Sequence, residues 1–312
     1  MIALQLIMLS IGFFLLIKGA DFFVNGCAGI AYKLNIPQIV IGLTIVAMGT
    51  SAPEAAVSIT SALKGNADIS MGNVIGSNIL NILIILGFTS LIIPLKIKNN
   101  TLKYEFPFMI IISILIILMG VKGESVSRIE GILMWILFIG YLIYLFKLSK
   151  KESSENNTTN NNDNPIWKLA LFSVFGVTTI ILGSNLSVDA ATKIAKEIGI
   201  SNRIIGLTVV ALGTSLPELA TSITAAKKGN DDLAIGNIVG SNIFNILFVL
   251  GTSSIIIPIN FQRSFIVDGI IAVIAGLSLL LLSIRKKQLN RLGGIILLSE
   301  YIAYFIYLVN TN

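Results

Sequence analysis

The sequence predicts an all-α integral membrane protein of ten transmembrane helices, arranged as two inverted five-helix repeats. Of the 312 residues, 54% are hydrophobic and only 12% are charged, whereas a soluble globular protein is about 25% charged. The hydrophobic residues form blocks of roughly 20, long enough to cross about 30 Å of hydrocarbon as a helix. A sequence of 40 residues then recurs after five such blocks, so the second copy is expected to cross the bilayer in the opposite direction.

Ten apolar segments are predicted to span the membrane. They lie near residues 2–24, 38–63, 69–94, 104–121, 129–146, 166–189, 202–226, 233–258, 264–284 and 290–309. The N-terminal segment is apolar from its second residue and lacks the basic start of a secretory signal, so it is assigned as the first span. The first repeat is assigned to 1–146, a short linker to 147–165 and the second repeat to 166–312. The linker is rich in Asn, Ser and Thr, which favours a flexible connection.

Lys and Arg are distributed unequally between alternate loops. With the N-terminus outside, 14 of them fall in inner loops and 7 in outer loops, and such an excess is typical of cytoplasmic loops. Both termini are therefore predicted outside, with the linker in the cytoplasm. The net charge of +6 has the same explanation. We accordingly expect the lipid bilayer as surroundings, no nucleic acid as partner, and no obligatory protein partner.

The repeat joins residues 42–81 to residues 206–245 at a constant offset of 164. Without any gap, 26 of the 40 aligned residues are identical, which identifies an internal duplication. Transporters built from inverted repeats hold their substrate near the membrane midplane, where the repeats meet. The second, third, seventh and eighth spans, which carry the duplicated sequence, are therefore expected to be interrupted helices that form a central site.

The second span carries G-T-S-A-P-E, ending at Glu54, and the seventh carries G-T-S-L-P-E, ending at Glu218. Thr50 and Glu54 are four residues apart and share a helix face. Pro53 has no N–H to bond the carbonyl of Gly49, and such a loosened backbone is tolerated at membrane depth only where another group satisfies it. An ionised carboxylate at mid-membrane costs at least about 2–3 kcal/mol. Two of them at corresponding positions predict a compensating cation.

The third and eighth spans each carry a polar stripe within the sequence G-N-x-x-G-S-N. The stripes recur every four residues along one helix face and consist of Asn73, Ser77 and Asn81, and of Asn237, Ser241 and Asn245. Hydrogen bonds between helices are a sufficient explanation for Asn73, Asn78, Asn237 and Asn242. Ser77, Asn81 and their copies could instead reach the level of the glutamates.

The available ligands are carboxylate, hydroxyl, amide and backbone oxygens. The chain has no His and a single cysteine, Cys27, so a transition-metal site is not indicated. Oxygen ligands suit hard cations, and a flexible dehydrated cage favours Ca²⁺ over Mg²⁺. Glu54 and Glu218 together carry a charge of −2, which one Ca²⁺ neutralises. No cofactor is expected, because Ca²⁺ and Na⁺ would be the transported ions.

Through these paired motifs the sequence resembles the cation/Ca²⁺ exchanger superfamily, and most of all its prokaryotic Na⁺/Ca²⁺ exchangers. The resemblance implies a Na⁺/Ca²⁺ antiporter of the plasma membrane in which Glu54 and Glu218 are the main Ca²⁺ ligands. It implies hydroxyl ligands at Thr50, Ser51, Ser77, Thr214, Ser215 and Ser241, and backbone carbonyl ligands at Ala47 and Ala211. The polar stripes add Asn81 and Asn245 as candidate ligands. The similar exchangers often carry an aspartate where this chain has Asn245, so the Na⁺ count and the ion selectivity are open.

Other interpretations stand beside this one. The coupling ion could be H⁺, or exchange could also need K⁺, although the lack of His and of further acids in the repeats disfavours a proton path. A passive channel is disfavoured because channels usually form their pore between subunits. No nucleotide loop, metal triad or catalytic dyad indicates an enzyme.

In the first span, Lys18 and Asp21 are expected to pair on one helix face.

Overall fold

The structure is a computed structural model that describes residues 2–65, 67–153, 164–198, 211–262 and 264–311. The described chain is predominantly helical, as the sequence predicts. Over these ranges, eight helices are long and apolar enough to cross a membrane, and one bent pair of helices makes a ninth. The predicted seventh span, 202–226, begins among residues outside the described ranges, so the count of ten stays a prediction.

The helices are numbered in chain order. In the first half they are α1 (Ile2–Lys33), α2 (Gln38–Thr50), α3 (Ala52–Leu63), α4 (Ala67–Leu80, Asn81–Leu86 and Gly87–Ile92), α5 (Thr101–Glu105 and Phe106–Gly123) and α6 (Arg128–Ser153). In the second half they are α7 (Ile166–Glu197), α8 (Ala211–Thr214), α9 (Leu216–Lys227), α10 (Asp231–Phe244, Asn245–Leu250 and Gly251–Ile256), α11 (Ser264–Ile284) and α12 (Arg291–Thr311).

The bounds of the helices repeat along the chain. α7 begins and ends 164 residues after α1, and α9 and α10 stand at the same offset from α3 and α4. This is the offset of the sequence repeat, so duplicated sequence has given duplicated structure. The division at 147–165 stays a prediction, because α6 extends to Ser153 and residues 154–163 lie outside the described ranges.

Within the described ranges, four strands of two residues each connect the halves. They are β1 (Leu95–Lys96), β2 (Ser125–Val126), β3 (Ile259–Asn260) and β4 (Gln288–Leu289). β1 pairs with β4 and β2 pairs with β3, both antiparallel. Each pair joins one strand of the first half to one of the second, and exchanging the halves converts one pair into the other. The strands therefore obey the same pseudo-two-fold relation as the helices.

α1 and α7 pack directly against each other through glycines. A Cβ on Gly19 would lie 2.9 Å from the carbonyl oxygen of Gly176, and one on Gly183 would lie 2.7 Å from that of Gly12. Only residues without a side chain allow the two backbones to approach this closely. Gly12 and Gly19 occupy the same repeat positions as Gly176 and Gly183, so this contact is also pseudo-two-fold.

The predicted pair of Lys18 with Asp21 is wrong. Asp21 is bound instead by Lys228, which follows α9, with Nζ 3.0 Å from the Asp21 carboxylate. The same ammonium donates to the side-chain oxygen of Asn25 at 2.9 Å, while Lys18 forms no ion pair with any described residue. The side chain of Lys228 can reach across to a neighbouring helix, and its three donors satisfy two partners there at once.

The second and seventh spans are interrupted as predicted, whereas the predicted interruption of the third and eighth spans is not found. α2 and α3 are bent by 52° at Ser51, and a corresponding break at Ser215 separates α8 from α9. The third and eighth spans, α4 and α10, do not break; each passes into a π-helical turn that begins at Asn81 or Asn245. Such turns occur often at functional sites, and here they begin at two of the predicted ligands.

The most buried helix is α10, in which every residue from Leu233 to Phe244 is buried. It crosses α4 at the centre of the molecule and packs against α2. A Cβ on Gly42 of α2 would lie 3.0 Å from the Cα of Gly236 in α10. The duplicated segments thus form the core, and the longer helices surround them.

Candidate cation site

The two glutamates of the repeated motif lie in the first turns of α3 and α9, immediately after the helix breaks. Both side chains are 0% exposed. Because α3 and α9 come from different halves of the chain, the fold brings together two carboxylates that are 164 residues apart. Each of them is held by hydroxyl groups.

The hydroxyl contacts cross between the repeats. Ser51 donates to Glu218 Oε1 at 2.8 Å. Thr50, whose hydroxyl donates to Asn237 Oδ1 at 2.9 Å, lies near the same carboxylate. In the opposite sense, Thr214 is within hydrogen-bonding range of the Glu54 carboxylate. The glutamate of each repeat is therefore oriented by the threonine or serine of the other.

The serines also bind within and between the repeats. Ser77 donates to Glu54 Oε1 at 3.4 Å and lies 3.3 Å from the hydroxyl of Ser215. Ser241 lies near the Glu218 carboxylate. The structure thus collects all six predicted hydroxyl residues around the two carboxylates.

The serines at the N-termini of α3 and α9 do not cap their own helices. Ser51-x-x-Glu54 and Ser215-x-x-Glu218 have the spacing of a capping box, in which the serine would bond the backbone of its own helix. Neither serine makes a side-chain capping bond. Ser51 binds the opposite glutamate instead, so the sequence favours the shared site over the stability of each helix end.

Four oxygens at the centre have no hydrogen-bond donor in the part of the chain that the structure describes. They are Glu54 Oε2, Glu218 Oε2, Asn81 Oδ1 and Asn245 Oδ1. All four residues are 0% exposed, and leaving a buried acceptor unsatisfied costs about 1–3 kcal/mol. These acceptors form two pairs that are related by the repeat. A cation bound between them would satisfy two carboxylate and two amide oxygens together.

The asparagines at the start of each polar stripe have a structural role, in line with the sequence interpretation. Asn73 donates to Ser58 Oγ at 2.9 Å and to the backbone oxygen of Glu54 at 3.2 Å. Asn237 makes the same two contacts, to Ser222 Oγ at 2.9 Å and to the backbone oxygen of Glu218 at 3.4 Å. These hydrogen bonds join α3 to α4 and α9 to α10, and so hold each glutamate at a defined position along its helix.

The two predicted backbone ligands stay predictions. The carbonyl of Ala47 accepts the backbone N–H of Ser51 at 2.9 Å and the hydroxyl of Ser241 at 3.5 Å, which places it beside the site with hydrogen bonds of its own. Ala211 is the first residue of α8 within the described ranges, and its side chain lies outside what the structure describes.

The sequence interpretation missed one polar residue. Thr221 lies one turn after Glu218, is 0% exposed, and its hydroxyl has no hydrogen-bond partner among the described residues. The first repeat has Val57 at this position. A hydroxyl that breaks the match between the two copies was the available signal, and only the structure shows that it is buried.

The donor set is made of oxygen. Over the described ranges, no group of three or more His, Cys, Asp or Glu side chains comes together. Two carboxylates, several hydroxyls and two amides are typical ligands of Ca²⁺ and other hard cations. This arrangement agrees with the chemistry expected from the sequence.

Comparison with known proteins identifies the family. Residues 4–147 and 168–310 match the family model of the sodium/calcium exchanger protein. The chain is 42% identical over 308 residues to the putative antiporter CaxA of Alkalimonas amylolytica, covering 96% of both chains. It is 31% identical over 350 residues to the sodium/calcium exchanger MaX1 of Methanosarcina acetivorans, covering 99% of both.

Solved structures agree with the sequence matches. The sodium-calcium exchanger NCX_Mj, soaked with 10 mM Na⁺ and no Ca²⁺, superposes with a TM-score of 0.85 at 34% identity and covers 98% of this chain and 99% of that one. The resemblance to the cation/Ca²⁺ exchanger superfamily is confirmed. The chain therefore belongs to the sodium/calcium exchanger protein family, and it is a multi-pass membrane transporter for cation/Ca²⁺ antiport.

Proposed function

We propose that this protein exchanges Na⁺ for Ca²⁺ by alternating access, with Ca²⁺ bound between Glu54 and Glu218. The observation that carries the proposal is the set of four buried, unpartnered oxygens on these glutamates and on Asn81 and Asn245. The overlapping Na⁺ sites are assigned to the surrounding hydroxyl, amide and backbone oxygens. They come from Thr50, Ser51, Ser77, Asn81, Thr214, Ser215, Ser241 and Asn245, and from the carbonyls of Ala47 and Ala211.

Charge explains why exchange is coupled. Two ionised glutamates give the site a charge of −2, which either one Ca²⁺ or two Na⁺ neutralise. Without ions the site is a buried dianion, and uncompensated charge in the membrane interior is costly. The protein therefore changes its facing state readily only when one set of ions is bound. Ion-free return is suppressed, which links the two fluxes.

An asymmetry between the repeats supports alternating access. α1 packs along α9, and Lys228 ties the two regions together by bonding Asp21 and Asn25. The equivalent helices α7 and α3 make no comparable contact over their described residues. Inverted repeats that differ in this way describe one facing state, and exchange of their conformations would give the other.

The membrane placement follows the loop charges. We assign the protein to the plasma membrane of a prokaryote, with both termini outside and the 147–165 linker in the cytoplasm, because inner loops then carry the excess of Lys and Arg. Lys228 and Asp21 lie on the cytoplasmic side in this orientation. The described conformation is then closed toward the cytoplasm.

The experiment that tests the function is ⁴⁵Ca²⁺ uptake into proteoliposomes. Vesicles are loaded with Na⁺ and diluted into Na⁺-free buffer, and uptake is expected only while the outward Na⁺ gradient lasts. Collapsing the gradient with a Na⁺ ionophore serves as the control. Uptake that ignores Na⁺ and follows an imposed pH gradient would show H⁺/Ca²⁺ exchange instead. A requirement for K⁺ together with Na⁺, or flux with no counter-ion, would likewise contradict the proposal.

A further inference from the structure

Four asparagines form a hydrogen-bond network where α4 crosses α10. They are Asn78, Asn81, Asn242 and Asn245, and none is more than 3% exposed. Asn78 and Asn242 stand at the same position of the two repeats, one turn before the candidate ligands Asn81 and Asn245. Building on the proposed function, we infer that Asn78 and Asn242 are positioning residues that orient the Asn245 and Asn81 amides as neutral ligands of the transported cation.

The orientation of Asn245 follows from a backbone carbonyl. The carbonyl oxygen of Asn242 can only accept, and it accepts the side-chain N–H of Asn78 at 3.2 Å. The amide oxygen of Asn78 must then face the other way, where it accepts the side-chain N–H of Asn245 at 3.2 Å. With its NH₂ group committed, Asn245 presents Oδ1 as an acceptor that lacks a described partner. Each step leaves one possible orientation of the next amide.

The second half of the network repeats the sequence of contacts. Asn242 donates to the backbone carbonyl of Asn78 at 3.3 Å, and its amide oxygen accepts the side-chain N–H of Asn81 at 2.9 Å. Asn81 is left with Oδ1 as an unpartnered acceptor. Two carbonyls on crossing helices thus determine the orientation of all four amides.

The network also restricts which residue fits at position 245. Asn78 presents an oxygen there, so position 245 must supply a donor. An ionised carboxylate would place two acceptors face to face in a site from which water is excluded, and a buried acceptor without a donor is costly. Asn78 and Asn242 therefore favour amides at 245 and 81, and they keep the protein charge of the site at −2.

Equilibrium ⁴⁵Ca²⁺ binding to the purified full-length protein tests the inference. Partners that orient metal ligands typically contribute 10–100-fold to metal affinity, so N78A and N242A should each raise the Kd for Ca²⁺ by about tenfold or more. S90A and S254A are matched controls. Each of these buried serines lies on the same two helices and bonds the carbonyl three residues earlier, so their removal should leave the Kd within about twofold.

Double variants separate positioning from loss of structure. If Asn78 acts through Asn245, N78A should raise the Kd less than about twofold further in an N245A background, but should keep its full effect in an N81A background. N242A, in turn, should raise the Kd less than about twofold further in an N81A background but should keep its full effect in an N245A background. General loss of packing would give the same additional effect in both backgrounds, and that result would overturn the inference.

Folding is monitored by thermal unfolding in detergent. If N78A does not fold, N78L, which fills the volume without a polar group, takes its place in the same comparison. Wild-type protein that binds no Ca²⁺ would contradict the proposed function. Wild-type binding with an unchanged Kd in N78A and N242A would overturn this inference alone.

Discussion

Glu54 and Glu218 are both held across the repeats, because each repeat supplies hydroxyl groups that lie beside the glutamate of the other. Ser51 reaches Glu218 and Thr214 reaches Glu54, so neither half can build the site alone. A single duplicated sequence therefore gives a site with two carboxylates, and both must be ionised to neutralise a divalent ion.

Replacement of either glutamate by glutamine should abolish Ca²⁺ transport. The change keeps the side-chain volume but lowers the site charge to −1, and breaking a buried charge pair costs roughly 3–5 kcal/mol, which corresponds to a loss of at least about 100-fold in affinity. The measurement is Na⁺-dependent ⁴⁵Ca²⁺ uptake by E54Q and E218Q. E300Q is a control outside the site, since Glu300 bonds only Ser278 of a peripheral helix among its described contacts. Near-normal uptake in either site variant would contradict the site assignment.

Asn245 stands at a position where the family resemblance implies that an aspartate is often found. In N245D the site would carry −3, so three Na⁺ rather than two would be needed to neutralise it. The Na⁺ dependence of Ca²⁺ exchange should therefore become steeper, and affinity for Ca²⁺ should fall because the new carboxylate faces the amide oxygen of Asn78. Steepness is read from initial rates over a range of Na⁺ concentrations.

The control for this prediction is N245A, which removes a ligand oxygen without adding charge. It should weaken Ca²⁺ binding while leaving the steepness unchanged. If N245D showed the wild-type Na⁺ dependence, the charge at position 245 would have no influence on coupling.

At this scale the sequence predicts much of the site but not all of it. Glu54, Glu218, Asn81 and Asn245 were identifiable because a polar residue in an apolar span is costly and because each occurs twice. The partner of Asp21 was not identifiable. Its true partner, Lys228, is 207 residues away, and nothing in local spacing indicates which helix lies beside α1.

Among the helices, the breaks lie slightly earlier than the prolines that indicated them. α2 ends and α3 begins at Ser51, and Pro53 stands in the first turn of α3. A proline is well tolerated there, because the first N–H groups of a helix have no partner within it. Pro53 therefore begins the new helix, and its missing N–H keeps α2 from continuing into it.

Restoring that N–H should straighten the span. P53A allows a bond to the carbonyl of Gly49, which favours one continuous helix and moves Glu54 away from its place opposite Glu218. A displacement of about 1 Å at a reacting group can cost 100-fold, so we expect Na⁺-dependent Ca²⁺ uptake to fall tenfold or more while the thermal stability stays the same or rises.

Pro107 offers a control with no role in the site, because it stands in the first turn of the α-helical segment of α5, Phe106–Gly123, which follows the π-helical segment Thr101–Glu105. P107A should leave uptake within about twofold of wild type. Equal losses in P53A and P107A would indicate a general effect on membrane packing rather than on the position of Glu54.

The π-helical turns of α4 and α10 are an element that the sequence could not predict. Apolar periodicity is similar for a continuous α-helix and for one with a short π segment, so the third and eighth spans gave no signal beyond their Asn and Gly residues. The turns begin at Asn81 and Asn245, just after the crossing of the two helices. There, tertiary contacts between the repeats outweigh local preference.

For the whole molecule, the duplication carried the most information. The 164-residue offset predicted which elements would correspond. The helices and glycine contacts around the repeated motifs follow it, while β4 and α12 begin one residue short of it. The sequence could not show at which contacts the two repeats differ in conformation. The two copies are so similar that either one could adopt either packing arrangement. The structure shows this directly, since Lys228 bonds Asp21 and Asn25 while its repeat counterpart Lys64 forms no ion pair with any described residue.

Alternating access therefore makes a prediction about Lys64. The residues that correspond to Asp21 and Asn25 are Asn185 and Asp189 on α7. Lys64 would therefore also find one carboxylate and one amide, with the carboxylate at the second position instead of the first. If the repeats exchange conformations, α7 should pack along α3 in the opposite facing state, and Lys64 should approach Asp189. The ion pair of Lys228 is partly exposed, at 28% and 40% for its two side chains. Such pairs contribute about 0–1 kcal/mol. The contact is therefore a marker of the facing state and does not by itself hold the protein in that state.

Cross-linking can follow this exchange. K64C with D189C, in a C27A background that removes the one native cysteine, should react with a short bismaleimide only while Na⁺ and Ca²⁺ gradients drive the transporter through its cycle. Because a linked pair holds one facing state, cross-linking should also stop ⁴⁵Ca²⁺ uptake. The matched pair K228C with D21C should react without any gradient, since those residues already lie together in the described conformation. If K228C–D21C reacted while K64C–D189C failed to react under every ion gradient, the two repeats would not exchange conformations, and access to the site would have to change by movement within one repeat.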